Sequence, residues 1–324
     1  MKFRIRHLAV LSLSSLLIAA GCGNHNNNAA TNATNAPAGA TEVTAVPVAA
    51  KLNIKVSFYP MYEFTKNVAG DLADVEAMIP AGIEPHDWEP TAQDMAKITD
   101  ADILVYNGAG MEGWVGQVLD SASDSKLVTV EASKGLQVMD GFEEEEHEHS
   151  GLDPHLWLDP ALAIQEVRTI EAALSAATPE NASAFKVNAD AYVAKLEQLN
   201  QEFKDGLKDT KRKDFITQHA AFGYLAREYG LIQVPIAGLS PEQEPSAAKM
   251  AEIVDFAKAN NVKTIFFETL VSSSVADTIA KEIGAKSAVL NPIEGLTDED
   301  RSNNLDYIGI MRQNLKALQL ALNE

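Results

Sequence analysis

The chain has 324 residues with 26 basic and 46 acidic side chains, a formal net charge of -20 and a single cysteine. That charge excludes a nucleic-acid-binding role, which needs a basic footprint, and a lone cysteine excludes an internal disulfide, so stability has to come from an apolar core. The acidity suits a cationic ligand or simple solubility and does not choose between them.

Residues 1–21 carry Lys2, Arg4 and Arg6 ahead of an apolar run from Leu8 to Ala20. This is the layout of a secretory signal, too short for a comfortable membrane span. Its removal takes three positive charges and no negative ones, leaving about -23 on the mature chain. Ala19-Ala20-Gly21-Cys22 sets the cysteine directly after small residues, which resembles a bacterial lipoprotein signal. The resemblance implies that Cys22 is acylated and anchors the protein to the extracytoplasmic face of the cell membrane without spanning it, each buried CH₂ contributing about 0.8 kcal/mol. A buried free thiol is the alternative, but the Asn-rich stretch that follows has nothing to bury it. Residues 22–50 are rich in Asn, Ala, Thr, Gly and Pro and read as the lipidated cysteine followed by a flexible tether.

From residue 51 onward, short β-rich runs alternate with amphipathic segments. Strands are expected at Leu52–Phe58, Val75–Ile79, Ile103–Tyr106 and Leu127–Val130, with helices around Met61–Val68, Ala92–Ile98 and Gly113–Leu119. The pattern repeats with strands at Asp214–Gln218, Ile232–Ile236, Val262–Phe267 and Ser287–Leu290, and helices at Ala221–Tyr229, Ser246–Ala259, Ser273–Ile283 and Asn304–Leu322. Such alternation predicts an α/β fold of two Rossmann-like lobes with parallel sheets. Between them Phe185, Ala189, Tyr192, Leu196, Leu199, Phe203 and Leu207 recur at helical spacing after "TPEN", so one long helix over 181–208 joins an N-terminal lobe, 51–180, to a C-terminal lobe, 209–324. A single helical connector has no loop strands to bend, so little motion between the lobes is expected.

His86, His155 and His219 each fall after a predicted strand, where open α/β sheets bind ligands. A single histidine there is more often a capping or hydrogen-bonding residue than a ligand, and it is the joint placement that points to one metal site. His147 and His149 lie in an acidic loop, 141–152, beside Glu143–Glu146 and Glu148. Composition fits either a charged surface loop or an auxiliary segment that gathers metal near the cleft.

The motifs "PHDWEPT", "DPHLWLDP", "TQHAAFGYLAREYGL" and "LNPIEGLT", in that order, resemble the metal-binding receptors of bacterial ABC importers for zinc and manganese. The resemblance covers essentially all of residues 51–324. It implies a metal held in the cleft between the lobes, with His86 and His155 from the first and His219 from the second. For the fourth ligand it points to Glu294, with Glu268, at the end of "IFFE", as the rival carboxylate. Three imidazoles and a carboxylate suit Zn²⁺ as the transported ligand, whereas a harder ion such as manganese prefers more oxygen. The implied protein is a monomeric, non-enzymatic receptor that delivers Zn²⁺ to an ABC permease. A receptor for manganese or another divalent metal and a surface adhesin are the alternatives. A zinc hydrolase fits less well, because no helical H-E-x-x-H or nucleophile elbow is present in the sequence.

Overall fold

The computed structural model describes residues 51–122, 125–141 and 151–324. The signal, Cys22, the tether, His147 and His149 lie outside them. Among the described residues no helix is long and apolar enough to cross a membrane.

The first lobe runs β1 (Leu52–Val56), α1 (Tyr59–Ala69), β2 (Ala73–Ala77), α2 (Ala92–Thr99), β3 (Ile103–Tyr106), α3 (Val115–Ser121) and β4 (Val128–Glu131). Its strands pair in parallel in the order β2-β1-β3-β4. Then come α4 (Pro160–Ala177) and α5 (Ala182–Leu207). The second lobe runs β5 (Asp214–Thr217), α6 (Gly223–Glu228), β6 (Ile232–Pro235), α7 (Ala247–Ala259), β7 (Thr264–Phe267), α8 (Ser274–Ile283), β8 (Lys286–Val289), α9 (Asp298–Ser302) and α10 (Tyr307–Ala321). Its parallel order, β6-β5-β7-β8, repeats that of the first. In each sheet the order reverses beside the first strand, and the carboxyl ends there form the crevice in which such sheets bind ligands.

The 26-residue α5 is about 39 Å long at the usual helical rise. It buries Phe185, Ala189, Tyr192, Leu196, Leu199, Phe203 and Leu207 on one face, as the spacing predicts. One apolar core runs through the molecule, from Ile54 and Phe64 through Ile170 and Leu199 to Phe266 and Leu318.

Sequence and structure differ in a few places. The second strand begins at Ala73, opposite Leu52, two residues before the expected start. The last helix begins at Tyr307, where the Asp306 side chain accepts from the Gly309 N–H and caps it. Helix α4 was not anticipated. Its apolar stripe of Ala163, Val167, Ile170 and Leu174 keeps helical spacing, with the buried Glu166 beside it on the same face. Pro179 ends α4 and turns the chain into α5, since a proline there cannot continue the helix.

Candidate metal centre

Three of the four motifs end in a helix cap. Thr91 closes "PHDWEPT" and forms a capping box with Asp94 at the start of α2. Asp159, in "DPHLWLDP", accepts from the Ala161 N–H at the start of α4. Thr297 closes "LNPIEGLT" and boxes with Asp300 at α9. Each loop is thereby fixed to the first turn of the helix that follows.

The loops are pinned on their inner sides too. The ring of Trp88 packs edge-on against Trp114, with centroids 5.4 Å apart, and the Glu84 carboxyl accepts the His86 backbone N–H at 3.0 Å. The Pro154 carbonyl accepts from Asn107 Nδ2 at 2.9 Å. His219 lies two residues beyond β5, and Glu268 follows β7 directly, so both stand at the reversal point of the second sheet.

The structure brings His86, His155, His219 and Glu294 together, with one donor atom of each within 4.8 Å of the others. His155 Nε2 is 3.3 Å from His86 Nε2 and 3.3 Å from His219 Nε2. Glu294 Oε1 lies 3.3 Å from His86 Nε2, 3.5 Å from His155 Nε2 and 3.4 Å from His219 Nε2. His155, His219 and Glu294 are almost fully buried. Glu268 stands outside this set, on the far side of His219.

Two carboxylates aim the imidazoles. His155 Nδ1 lies 2.8 Å from Asp153 Oδ1, and His219 Nδ1 lies 2.7 Å from Glu268. In each neutral ring a proton on Nδ1 donates to its carboxylate and leaves the Nε2 lone pair turned into the cluster, as a metal ion requires. Lone pairs facing each other at 3.3 Å repel unless a proton or metal ion lies between them.

The titration behaviour follows from the same geometry. Against the cost of burial, Glu268 and then Glu294 push His219 up to about 10. Burial likewise opposes charge on His155, but Asp153 and Glu294 outweigh it and raise the ring above its ordinary value. His86 goes the other way, lowered by burial despite the nearby Glu294. Burial disfavours ionisation of Glu294, yet hydrogen bonds from His155, His219 and His86 hold its carboxyl well below the usual range. The cluster therefore stabilises positive charge placed among its donors.

Sequence reasoning missed Asp153 as the residue that orients His155, although it stands two positions before it in "DPH". Glu268, the rival carboxylate in the sequence, lies instead against His219 Nδ1. Tyr224, five residues after His219, was also missed: its hydroxyl accepts from the Met139 N–H at 2.8 Å and donates to the Asp153 carbonyl at 2.7 Å. No spacing rule marks it, because its partners are backbone atoms far away in the chain.

Comparison with known proteins agrees with this architecture. Residues 54–321 match the family model described as zinc-uptake complex component A, periplasmic. The high-affinity zinc uptake system protein ZnuA of Bacillus subtilis (strain 168) is 48% identical over 324 residues, 97% of each chain. The zinc-binding lipoprotein AdcA of Streptococcus pneumoniae (strain ATCC BAA-255 / R6) is 48% identical over 277 residues, covering 83% of this chain and 55% of AdcA, so the chain spans little more than half of that relative. The crystal structure of the Zn(II)-bound ZnuA-like domain of Streptococcus pneumoniae AdcA superposes with a TM-score of 0.75 at 46% identity, covering 85% of this chain and 100% of that one. By its two parallel lobes, its long connecting helix and its match along nearly the whole described fold, the chain belongs to the family of zinc-uptake complex component A.

Proposed function

We propose that this protein is an extracytoplasmic receptor that captures Zn²⁺ between its lobes on His86, His155, His219 and Glu294 and delivers it to an ABC permease. The observation that carries the reading is the spacing of the donors. Five donor-to-donor distances fall between 3.3 and 3.5 Å. A tetrahedron whose centre-to-corner bonds are about 2.0–2.1 Å, as in zinc sites, has edges of about 3.3–3.4 Å. Three nitrogens and one oxygen are also the donor set of a borderline ion rather than of manganese, calcium or magnesium. The zinc named in the relatives above is consistent with this choice.

A hydrolytic reading has the fourth corner against it, because Glu294 fills the place where an attacking water would bind. In the proposal, residues 1–21 direct export, acylated Cys22 holds the protein to the membrane surface and residues 23–50 give it reach. The N-terminal lobe takes 51–180, the linking helix 181–208 and the C-terminal lobe 209–324, and the protein works as a monomer. His147 and His149 gather metal ahead of the cleft.

Titration of the mature chain with zinc against a competing chelator tests the site. The wild type binds one equivalent tightly, and His219→Ala weakens binding by at least about a hundredfold, since one of four bonds and its oriented donor are gone. A His219→Ala protein with wild-type affinity would refute the assignment, and manganese bound more tightly than zinc would refute the choice of metal.

A further inference from the structure

Glu294 owes its position to a strained turn. Ile293, immediately before it, has φ +60°, a left-handed conformation that a β-branched residue adopts only at a cost of about 1–3 kcal/mol. Such a conformation persists only where its surroundings over-determine it. On its own lobe the turn is held by side chains. The Ile293 N–H donates to Asn291 Oδ1 at 2.8 Å. The Asn291 N–H donates to Asn314 Oδ1 at 2.8 Å, and Asn314 Nδ2 donates to the Asn291 carbonyl at 2.7 Å.

One further hydrogen bond comes from the other side of the cleft. Trp157 Nε1 donates to the Pro292 carbonyl at 2.8 Å. Trp157 is fully buried, two residues from His155, and its ring packs edge-on against Phe58 beyond β1, with centroids 4.9 Å apart. The stretch from Asp153 to Trp157 thus touches two donors by separate routes. Asp153 orients His155 directly, and Trp157 reaches the peptide that leads to Glu294.

We propose that Trp157 is a positioning residue for Glu294. Its indole N–H, acting through the Pro292 carbonyl, seats the strained turn so that the carboxylate of the second lobe joins the donor set only when that lobe rests against the segment carrying His155. The inference builds on the zinc reading above. Without the N–H the Pro292 carbonyl is a buried acceptor with no partner, and only the contacts from its own lobe still hold Ile293 at positive φ, so the aim of Glu294 loosens.

The test separates this role from mere core filling. Trp157→Phe, and a protein carrying 3-benzothienylalanine at position 157, both lose the N–H, and the second keeps the shape of the indole. Each is titrated with zinc in the wild-type and Glu294→Ala backgrounds, and Co²⁺ absorption reports the donor set directly. In the wild-type background both substitutions are expected to weaken zinc binding by about tenfold to a hundredfold, the usual effect of removing a group that orients a ligand, and to change the Co²⁺ spectrum. In the Glu294→Ala background the same substitutions shift affinity by less than about twofold, because the residue through which they act is gone. A benzothienylalanine protein with wild-type affinity and spectrum overturns the proposal, as does an equal loss in both backgrounds. A wild-type protein that binds no zinc removes the functional reading itself, and the unmodified protein alone reveals that outcome.

Discussion

Glu166 sits on the buried stripe of α4, its side chain fully enclosed and neither carboxylate oxygen hydrogen-bonded. Burial, with smaller contributions from Glu112 and Asp159, pushes its carboxyl up from 4.5 to about 8. Tyr307 of α10 and Tyr224 of α6 also feel its charge. The folded chain therefore keeps a proton that the unfolded chain sheds near its ordinary value. Since the native state binds more protons between those limits, stability falls as pH rises through that window, by about 1.4 kcal/mol per pH unit. The cost reaches about 3 kcal/mol at pH 7 and levels off near 5 kcal/mol above the folded value. Glu166→Gln keeps the shape and cannot ionise. Urea unfolding of the zinc-free protein at pH 5, 6, 7 and 8 is expected to show the variant gaining on the wild type steadily across the series. An amide that packs poorly adds a constant offset, so the slope is the quantity to read. Parallel stability curves for the two proteins across that range would refute the reasoning.

Other perturbations have equally definite outcomes. Asp153→Asn removes the carboxylate that orients His155 and is expected to weaken zinc binding by about tenfold to a hundredfold in chelator competition, while a metal-free melt stays close to wild type. Gly141→Ala puts a methyl 2.4 Å from the Gly151 carbonyl oxygen and 2.5 Å from Leu239, and chemical denaturation should show a loss of about 1–3 kcal/mol. Leu199→Ala empties a fully buried position of α5 and is expected to cost about 2–5 kcal/mol in the same assay, with zinc stoichiometry unchanged. Zinc at a hundred times its dissociation constant should stabilise the wild type by about 2.7 kcal/mol, reversed by chelator, and a melting point indifferent to zinc would contradict the function.

The parts of the fold that repeat a period were the most legible. Strand-helix alternation announced both sheets, and the spacing of Phe185 through Leu207 announced α5, because burial on one face imposes its period directly on the sequence. Helix α4 carries the same period at Ala163, Val167, Ile170 and Leu174 but sets a buried carboxyl, Glu166, on that face, a local contradiction of the kind expected where a polar group is buried for reasons other than packing. Of the four clustered side chains, the three histidines could be named because each follows a predicted strand, and Glu294 only because its motif resembles that of a known receptor family. What orients them was less visible. Asp153 and Glu268 act on Nδ1 atoms, Tyr224 grips backbone atoms of Met139 and Asp153, and Trp157 reaches a carbonyl more than a hundred residues away. Contacts of that kind leave no spacing to read.

The helix caps that close three of the donor loops give the site leverage. A bond to zinc is only about 2 Å long, so the caps at the starts of α2, α4 and α9 limit how far each donor can stray from it. Helices whose bodies never reach the ion thus set the tolerance of its cage.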